Sequence, residues 1–313
     1  MAFPQIPAFA AAPGVIRLIG HRGARGVLPE NTMEGFEFAL KTGVELLELD
    51  VTATSDGVVV ITHNHHLTRS MVRDGNGNWL QGAEPKVSAL SFADLQDYDV
   101  GGLDGASAYG RRFPDQAFLT GLRIPRLADL LMLLQQPQHQ DVHLLLEIKS
   151  DPDLMEDTAA RQTLVEAVVS EVRQAGMQPR TVLHSFDWDL LALCQRAAPE
   201  MPASFLTQLP QNAADAGEDS SKAVNPVAGC TALDLPDRVA AARGRFWCPY
   251  YLDITPQSLA RARELGLLTI VWTVNEPQDI ERMINLGVDA ICTDYPGRVQ
   301  RRVLMHGLHW RSR

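Results

Sequence analysis

Residues 45–64, ELLELDVTATSDGVVVITHN, decide how the rest of the chain is read. They form two extended segments joined by a tight turn. Glu48 and Asp50 lie two apart on the first segment, and strand geometry sends both side chains to one face. Asp56-Gly57 carries the signature of a two-residue type I′ hairpin loop, in which both central residues need a positive φ. Such a loop would set His63 opposite Asp50. Two carboxylates and an imidazole then share one face, and burying them without a partner would cost several kcal/mol. A cation or an anionic substrate is therefore expected there. The plainer reading is three solvated polar residues on a surface hairpin, and the surrounding sequence decides against it.

Upstream, Val15 to Ile19 has the apolar, β-branched character of a buried parallel strand and ends in Gly20-His21-Arg22-Gly23. Asn31 followed by Glu34 has capping-box spacing. Phe36, Ala39 and Leu40 supply a helical apolar stripe, which Gly43 ends. A strand, a helix and a strand with short joints make a βαβ unit. Downstream, residues 66–123 turn Gly- and Asp-rich and lose apolar periodicity, apart from one short helix expected at Ser91 to Tyr98. This stretch reads as an insertion over the active face.

Regular alternation resumes with IPRLADLLMLLQQ, a helix entered through Pro125. Strands are expected at His143 to Lys149, Thr181 to Phe186, Ser204 to Thr207, Phe246 to Tyr250, Leu268 to Val274 and Ala290 to Thr293. Helices are expected near 156–175, 187–197, 256–265 and 277–286. Residues 208–243 read as a second long loop, and the tail from Val299 as a final helix with a basic end. With Val15 and Glu45 opening the first two, these runs make eight parallel strands alternating with helices over 313 residues. That pattern indicates a single α/β domain, residues 1–313. Its fold is a TIM (β/α)8 barrel with an antiparallel hairpin arm and a small insertion after it. An open doubly wound sheet is the alternative, weakened because no G-x-G-x-x-G follows the first strand.

Composition removes other classes. A formal charge of −10 argues against a nucleic-acid partner. No apolar run reaches the ~18 residues of a membrane span, so no stable membrane association is expected. Cys194, Cys230, Cys248 and Cys292 are scattered without a C-x-x-C pair, which suits reduced thiols in a cytoplasmic protein. The start, MAFPQIPAFAAAPG, lacks a basic n-region and is interrupted by prolines. It reads as a disordered N-terminus, with periplasmic export as the alternative.

In a TIM barrel the site collects at the C-terminal strand ends. His21 and Arg22 end the first strand, Glu48 and Asp50 the second, Glu147 and Lys149 the third. Trp272 and Asn275 end the seventh, Asp294 ends the eighth, and His63 returns on the hairpin. So many polar groups at strand ends favour a functional site over satisfied core residues.

The motifs HRG at 21–23, PENT at 29–32, ELD at 48–50, DGxxVxxH at 56–63, LEIK at 146–149 and WTVN at 272–275 resemble, in order, those of the glycerophosphodiester phosphodiesterases. The resemblance implies a TIM barrel with an insertion after the hairpin histidine. It also implies divalent-cation-dependent hydrolysis of a small glycerophosphodiester to glycerol 3-phosphate and an alcohol. By position, Glu48, Asp50 and Glu147 match the metal ligands, and His21 and His63 the acid–base pair. Arg22 and Lys149 match the phosphate-binding cations, and Trp272 the aromatic near the substrate. The family usually carries Asp directly after the second histidine, where this chain has Asn64.

The chemistry of the residues agrees. Three hard oxygen ligands suit Mg²⁺ or Ca²⁺ rather than zinc. The three carboxylates, the cation, Arg22, Lys149 and a phosphodiester sum to zero formal charge. Two histidines with ordinary pKa values near working pH can serve as base and acid. His65 and His66 read as a solvated run with zinc binding as the alternative, and His184 as hydrogen-bonded core. Glu30 and Asn31 read as loop and cap residues with a supporting contact to the site as the alternative, and Asp294 as closing the last strand. The competing functions are a related phospholipase, of the D or phosphoinositide-cleaving type, and a non-catalytic phosphate-binding barrel. The first should show an apolar membrane rim or a secretion signal. The second should have lost a histidine or a carboxylate.

Overall fold

The computed structural model describes residues 3–212, 227 and 229–311. Among these, the strands are β1 (Arg17–Gly20), β2 (Leu46–Ala53), β3 (Val59–Ile61), β4 (His143–Ile148), β5 (Thr181–Ser185), β6 (Ala203–Thr207), β7 (Phe246–Pro249), β8 (Leu268–Val271) and β9 (Ala290–Thr293). They form one sheet in the order β1-β9-β8-β7-β6-β5-β4-β2-β3, and a β1–β2 pairing closes it. The result is a parallel eight-stranded barrel with β3 as an antiparallel arm on β2, as the alternation of strand and helix predicts.

The helices are α1 (Ile6–Phe9), α2 (Met33–Lys41), α3 (Phe92–Leu95), α4 (Leu127–Leu134), α5 (Pro152–Glu156), α6 (Thr158–Gln174), α7 (Trp188–Ala197), α8 (Asp234–Ala241), α9 (Pro256–Glu264), α10 (Pro277–Leu286) and α11 (Pro296–Met305). No helix among the described residues is long and apolar enough to cross a membrane.

The barrel strands are buried on both faces, which is why they read as near-continuous apolar runs. Leu47, Leu49 and Val51 face outward with Leu144, Leu146 and Ile148, against helix residues such as Phe36, Leu130 and Val165. Leu46, Leu145, Val182, Phe246, Ile270 and Ala290 face inward and fill the lower barrel. The strand period of two then carries the inward face of β2 from Leu46 up to Glu48 and Asp50. The parallel register sets Asp50 beside Glu147 and Glu147 beside His184.

Several expectations are corrected. The hairpin pairs Val51 with Ile61 and Ala53 with Val59, and the Thr62 amide donates to the Asp50 carbonyl, so Thr62 and not His63 lies opposite Asp50. A type I′ turn needs two positive φ values, and Gly57 alone has one, at 79°. The loop takes three residues, closed by the Val58 amide donating to Thr54 Oγ1 at 3.0 Å, as in hairpins with a left-handed glycine. His63 reaches the barrel mouth from beyond the strand end.

The N-terminus is not disordered over its described part. Phe9 is fully buried under the barrel, edge-on to Phe246 with ring centroids 5.4 Å apart. Burying such a ring contributes about 2 kcal/mol. Arg17 ties the segment down by donating to the carbonyls of Ala10 and Pro7. The cap of α2 is Thr32, whose Oγ1 accepts from the Gly35 amide at 3.1 Å; Asn31, with φ 54°, points elsewhere.

Of residues 208–243, read as a loop, 234–241 form helix α8, while 213–226 and 228 lie outside the described residues. The insertion helix shortens to Phe92–Leu95 behind the Ser91 capping box. The insertion also has a small core of its own, Leu67, Val72, Val87 and Leu95 with Val60 and Ile124.

Candidate active site

Glu48, Asp50 and Glu147 are buried at the C-terminal barrel mouth, and one oxygen of each lies within 4.8 Å of the others. Glu48 Oε2 accepts from the Arg22 amide at 3.0 Å. Asp50 Oδ2 accepts from Asn31 Nδ2 at 2.9 Å and pairs with Arg22 Nε at 3.1 Å. Lys149 Nζ donates to Glu147 Oε1 at 2.9 Å and stands 3.6 Å from Asp50 Oδ1. Asp50 Oδ1 itself is buried and accepts no hydrogen bond.

Burial raises the Glu48 carboxyl well above the usual range, and the neighbouring Asp50 adds to it. Burial likewise pushes Glu147 up to about 7 in spite of Lys149. Asp50 goes the other way. Burial opposes its ionisation, but Arg22, His63, Lys149 and Asn31 outweigh it and hold the carboxylate charged. Lys149 stays protonated against its burial because Glu147 and Asp50 face it. An all-oxygen donor set, an orphaned carboxylate oxygen and two carboxyls whose ionisation burial disfavours fit a hard divalent cation.

The two histidines are held differently. His21 Nδ1 meets Asp294 Oδ1 at 2.6 Å, and its Nε2 is 3.7 Å from Glu48 Oε2. Burial lowers the His21 pKa, Arg25 and Arg22 lower it further, and Asp294 opposes them. Asp294 is kept ionised against its burial by Arg25, whose Nε and Nη2 grip both carboxylate oxygens at 2.8 and 3.1 Å. Asn275 Nδ2 donates to Asp294 Oδ2 at 2.7 Å. His63 Nδ1 meets Asn64 Oδ1 at 2.8 Å, and because an amide oxygen only accepts, Nδ1 is the donor of that pair.

A cleft of about 700 Å³, including its open mouth, joins these groups to an aromatic wall of Phe186, Tyr250 and Trp272. Trp272 packs edge-on to Phe186 and Tyr250 and donates from Nε1 to the Cys248 carbonyl at 2.9 Å.

The site residues expected from sequence are thus brought together: His21, Arg22, Glu48, His63, Glu147 and Trp272 line the cleft, with Asp50 and Lys149 paired to its members. Asp294 does more than close a strand, since it orients His21. Its position at a strand end was the one available signal. Glu30 and Asn31 carried their place in the PENT motif, Arg25 only its nearness to His21, and Tyr109 no signal at all. His184 is hydrogen-bonded core as expected, with Nδ1 2.8 Å from Ser204 Oγ and a pKa pressed by burial to about 3. His65 is not freely solvated: burial, then Lys149, lowers its pKa to about 4.

Comparison with known proteins gives the family and the fold. The family model for the glycerophosphoryl diester phosphodiesterase family matches residues 21–298. A crystal structure from Silicibacter pomeroyi DSS-3, assigned as a glycerophosphoryl diester phosphodiesterase, is 53% identical. It superposes with a TM-score of 0.89, covering 99% of this chain and 100% of that one. A glycerophosphodiester phosphodiesterase of Caldanaerobacter subterraneus subsp. tengcongensis is 25% identical over 89% of this chain and 94% of its own length. A phosphodiesterase from Oleispira antarctica, solved with its product sn-glycerol-3-phosphate, shares the fold at 20% identity. Its TM-score is 0.67 over 92% of this chain and 97% of that one.

Proposed function

This chain belongs to the glycerophosphoryl diester phosphodiesterase family, and from that premise we propose that His21 and His63 act as its acid–base pair in releasing glycerol 3-phosphate and an alcohol from glycerophosphodiesters. The observation that carries the reading is one cleft with both histidines on a rim that also holds Glu48 and Glu147, with Asp50 beside them in the buried acidic trio. Glu48, Asp50 and Glu147 would hold one divalent cation, Mg²⁺ or Ca²⁺, which supplies stabilisation of charge on the phosphoryl oxygens when bound.

Arg22 and Lys149 bind the phosphodiester anion, their planar and point charges complementing its oxygens. Trp272 and its aromatic neighbours exclude water from the organic part of the substrate. Each histidine has Nδ1 engaged, His21 on Asp294 and His63 on Asn64, which leaves Nε2 to exchange protons. One takes the proton of the nucleophile, water or the neighbouring glycerol hydroxyl, while the other donates to the departing alcohol oxygen; after glycerol-hydroxyl attack, water opens the cyclic phosphate with the two roles reversed. We read the chain as one barrel domain with residues 66–123 as its insertion. The free cysteines suit a reducing, cytoplasmic setting.

The test is a coupled glycerol 3-phosphate assay over diesters of choline, ethanolamine, glycerol and inositol, in EDTA and in Mg²⁺ or Ca²⁺. Metal-dependent release from at least one diester supports the proposal. Release undiminished after chelation removes the cation, and no release from any diester removes the substrate class.

A further inference from the structure

Six buried side chains form a closed ring on the β1–β9 side of the barrel mouth, none more than 7% exposed. His21 Nδ1 bonds Asp294 at 2.6 Å, and Arg25 grips both oxygens of Asp294. Arg25 Nη1 donates to the Tyr109 hydroxyl at 3.1 Å, and that hydroxyl donates to Glu30 Oε2. Glu30 Oε1 accepts from Arg22 Nη1 at 2.7 Å. His21 and Arg22 are consecutive, so a peptide bond closes the circuit.

Five members come from the loops after β1 and β9. Tyr109 alone comes from the insertion, entering beside the 3-10 turn Gly110–Arg112. Phe113, the residue after that turn, lies under the Arg25 guanidinium, 4.6 Å from ring centroid to Cζ, and edge-on to Tyr109. Gln116 adds a hydrogen bond to the Arg25 carbonyl at 2.7 Å.

The link needs a hydroxyl. It must accept from a cation and donate to a carboxylate while adding no charge, and a tyrosine hydroxyl does both. Both bonds are charge-assisted, so turning either arginine away from Tyr109 or Glu30 gives up a strong interaction. On the inner side, Arg22 is held by Glu48 and Asp50, and His21 Nε2 stands near Glu48. The ring is the outer support of the same two residues.

We propose that Tyr109 is a positioning residue, through which the insertion fixes the direction of the His21 imidazole and of the Arg22 guanidinium. This rests on the reading that those two groups serve phosphodiester hydrolysis. Tyr109 acts through Arg25 and Asp294 on one side and through Glu30 on the other. Small displacements of positioned groups lower rates by up to about a hundredfold, which sets the scale of the effect.

Tyr109→Phe keeps the ring packing and removes both bonds. The folded variant should lose roughly ten- to a hundredfold in kcat and bind glycerol 3-phosphate more weakly as a product inhibitor. Glu30→Gln breaks the ring one link away and should lose activity similarly; it also serves where Tyr109→Phe does not fold. The double variant should be no worse than about the poorer single one. A structural prop alone would lower thermal stability and leave kcat and product affinity within twofold, and that result overturns the proposal, as do losses that simply multiply.

One measurement does not depend on turnover. The short His21–Asp294 bond should give a downfield imidazole proton in the NMR spectrum, absent in Asp294→Asn and shifted or broadened in Tyr109→Phe. An unmoved resonance in Tyr109→Phe overturns the positioning role even if the wild type releases no glycerol 3-phosphate. That last outcome would count against the functional reading instead.

Discussion

Glu147→Gln, compared with the wild type in EDTA across pH, tests how the acidic trio is held. Burial raises the Glu147 carboxyl to about 7 from an ordinary value of 4.5. A carboxyl whose folded pKa is raised contributes its stability below the unfolded value and loses it as pH climbs through the folded one. Stability that is intact near pH 4 should therefore be lost progressively up to pH 7. At 1.36 kcal/mol per pKa unit the loss is about 3 kcal/mol. For a chain of this length that corresponds to roughly 5 °C in Tm.

The glutamine is neutral throughout, so the variant should match the wild type near pH 4.5 and be about 5 °C more stable at pH 8. Buried His21, His65 and His184 have lowered pKa values, which add stability as pH rises toward the free histidine range. Those terms are common to both proteins and cancel in the difference. Added Mg²⁺ or Ca²⁺ should reverse the order, because a ligand at a hundred times its Kd stabilises by about 2.7 kcal/mol and the variant lacks one carboxylate. Scanning calorimetry over pH 4.5 to 8 measures both effects. A Tm difference that is flat with pH in EDTA, or equal stabilisation of both proteins by the cation, would refute the reasoning.

Three further outcomes are expected. His21→Ala and His63→Ala should each cost at least about a hundredfold in kcat; a folded variant with near wild-type turnover excludes that histidine from proton transfer. Asn64→Asp should place a carboxylate on His63 Nδ1 and move one limb of the pH–rate profile upward by about one unit. An acid limb that moves marks His63 as the base, an alkaline limb marks it as the acid, and two unmoved limbs refute the contact. Attack by the neighbouring glycerol hydroxyl, giving a cyclic phosphate that water then opens, predicts that an analogue lacking the 2-hydroxyl is not cleaved at a comparable rate. The tethered hydroxyl carries the advantage of proximity, and comparable cleavage of the deoxy compound would make water the nucleophile.

The barrel and most of the cleft were legible in the chain because both depend on local periodicity. A strand buried on two faces is apolar until its C-terminal end, so polar residues there, such as Glu48, Asp50, Glu147 and Lys149, stand out against their neighbours. Strand period two placed Glu48 with Asp50, and barrel architecture placed all strand ends at one mouth. What depends on pairing over long separations was not legible. Nothing near Asp294 announces a bond to His21, 273 residues away, and nothing near Tyr109 announces Glu30.

The hairpin misled because an Asp-Gly pair suits both a two-residue and a three-residue loop. The choice between them shifts the register by one residue and exchanges His63 for Thr62 opposite Asp50. Phe9 looked like part of a loose leader because its partners, Phe246 and His143, lie far along the chain. Residue type and period thus determined which groups face the barrel mouth, since those depend on a few neighbouring bonds. How the groups orient one another was decided only by folding, because the direction of a hydrogen bond between distant segments is a property of their packing.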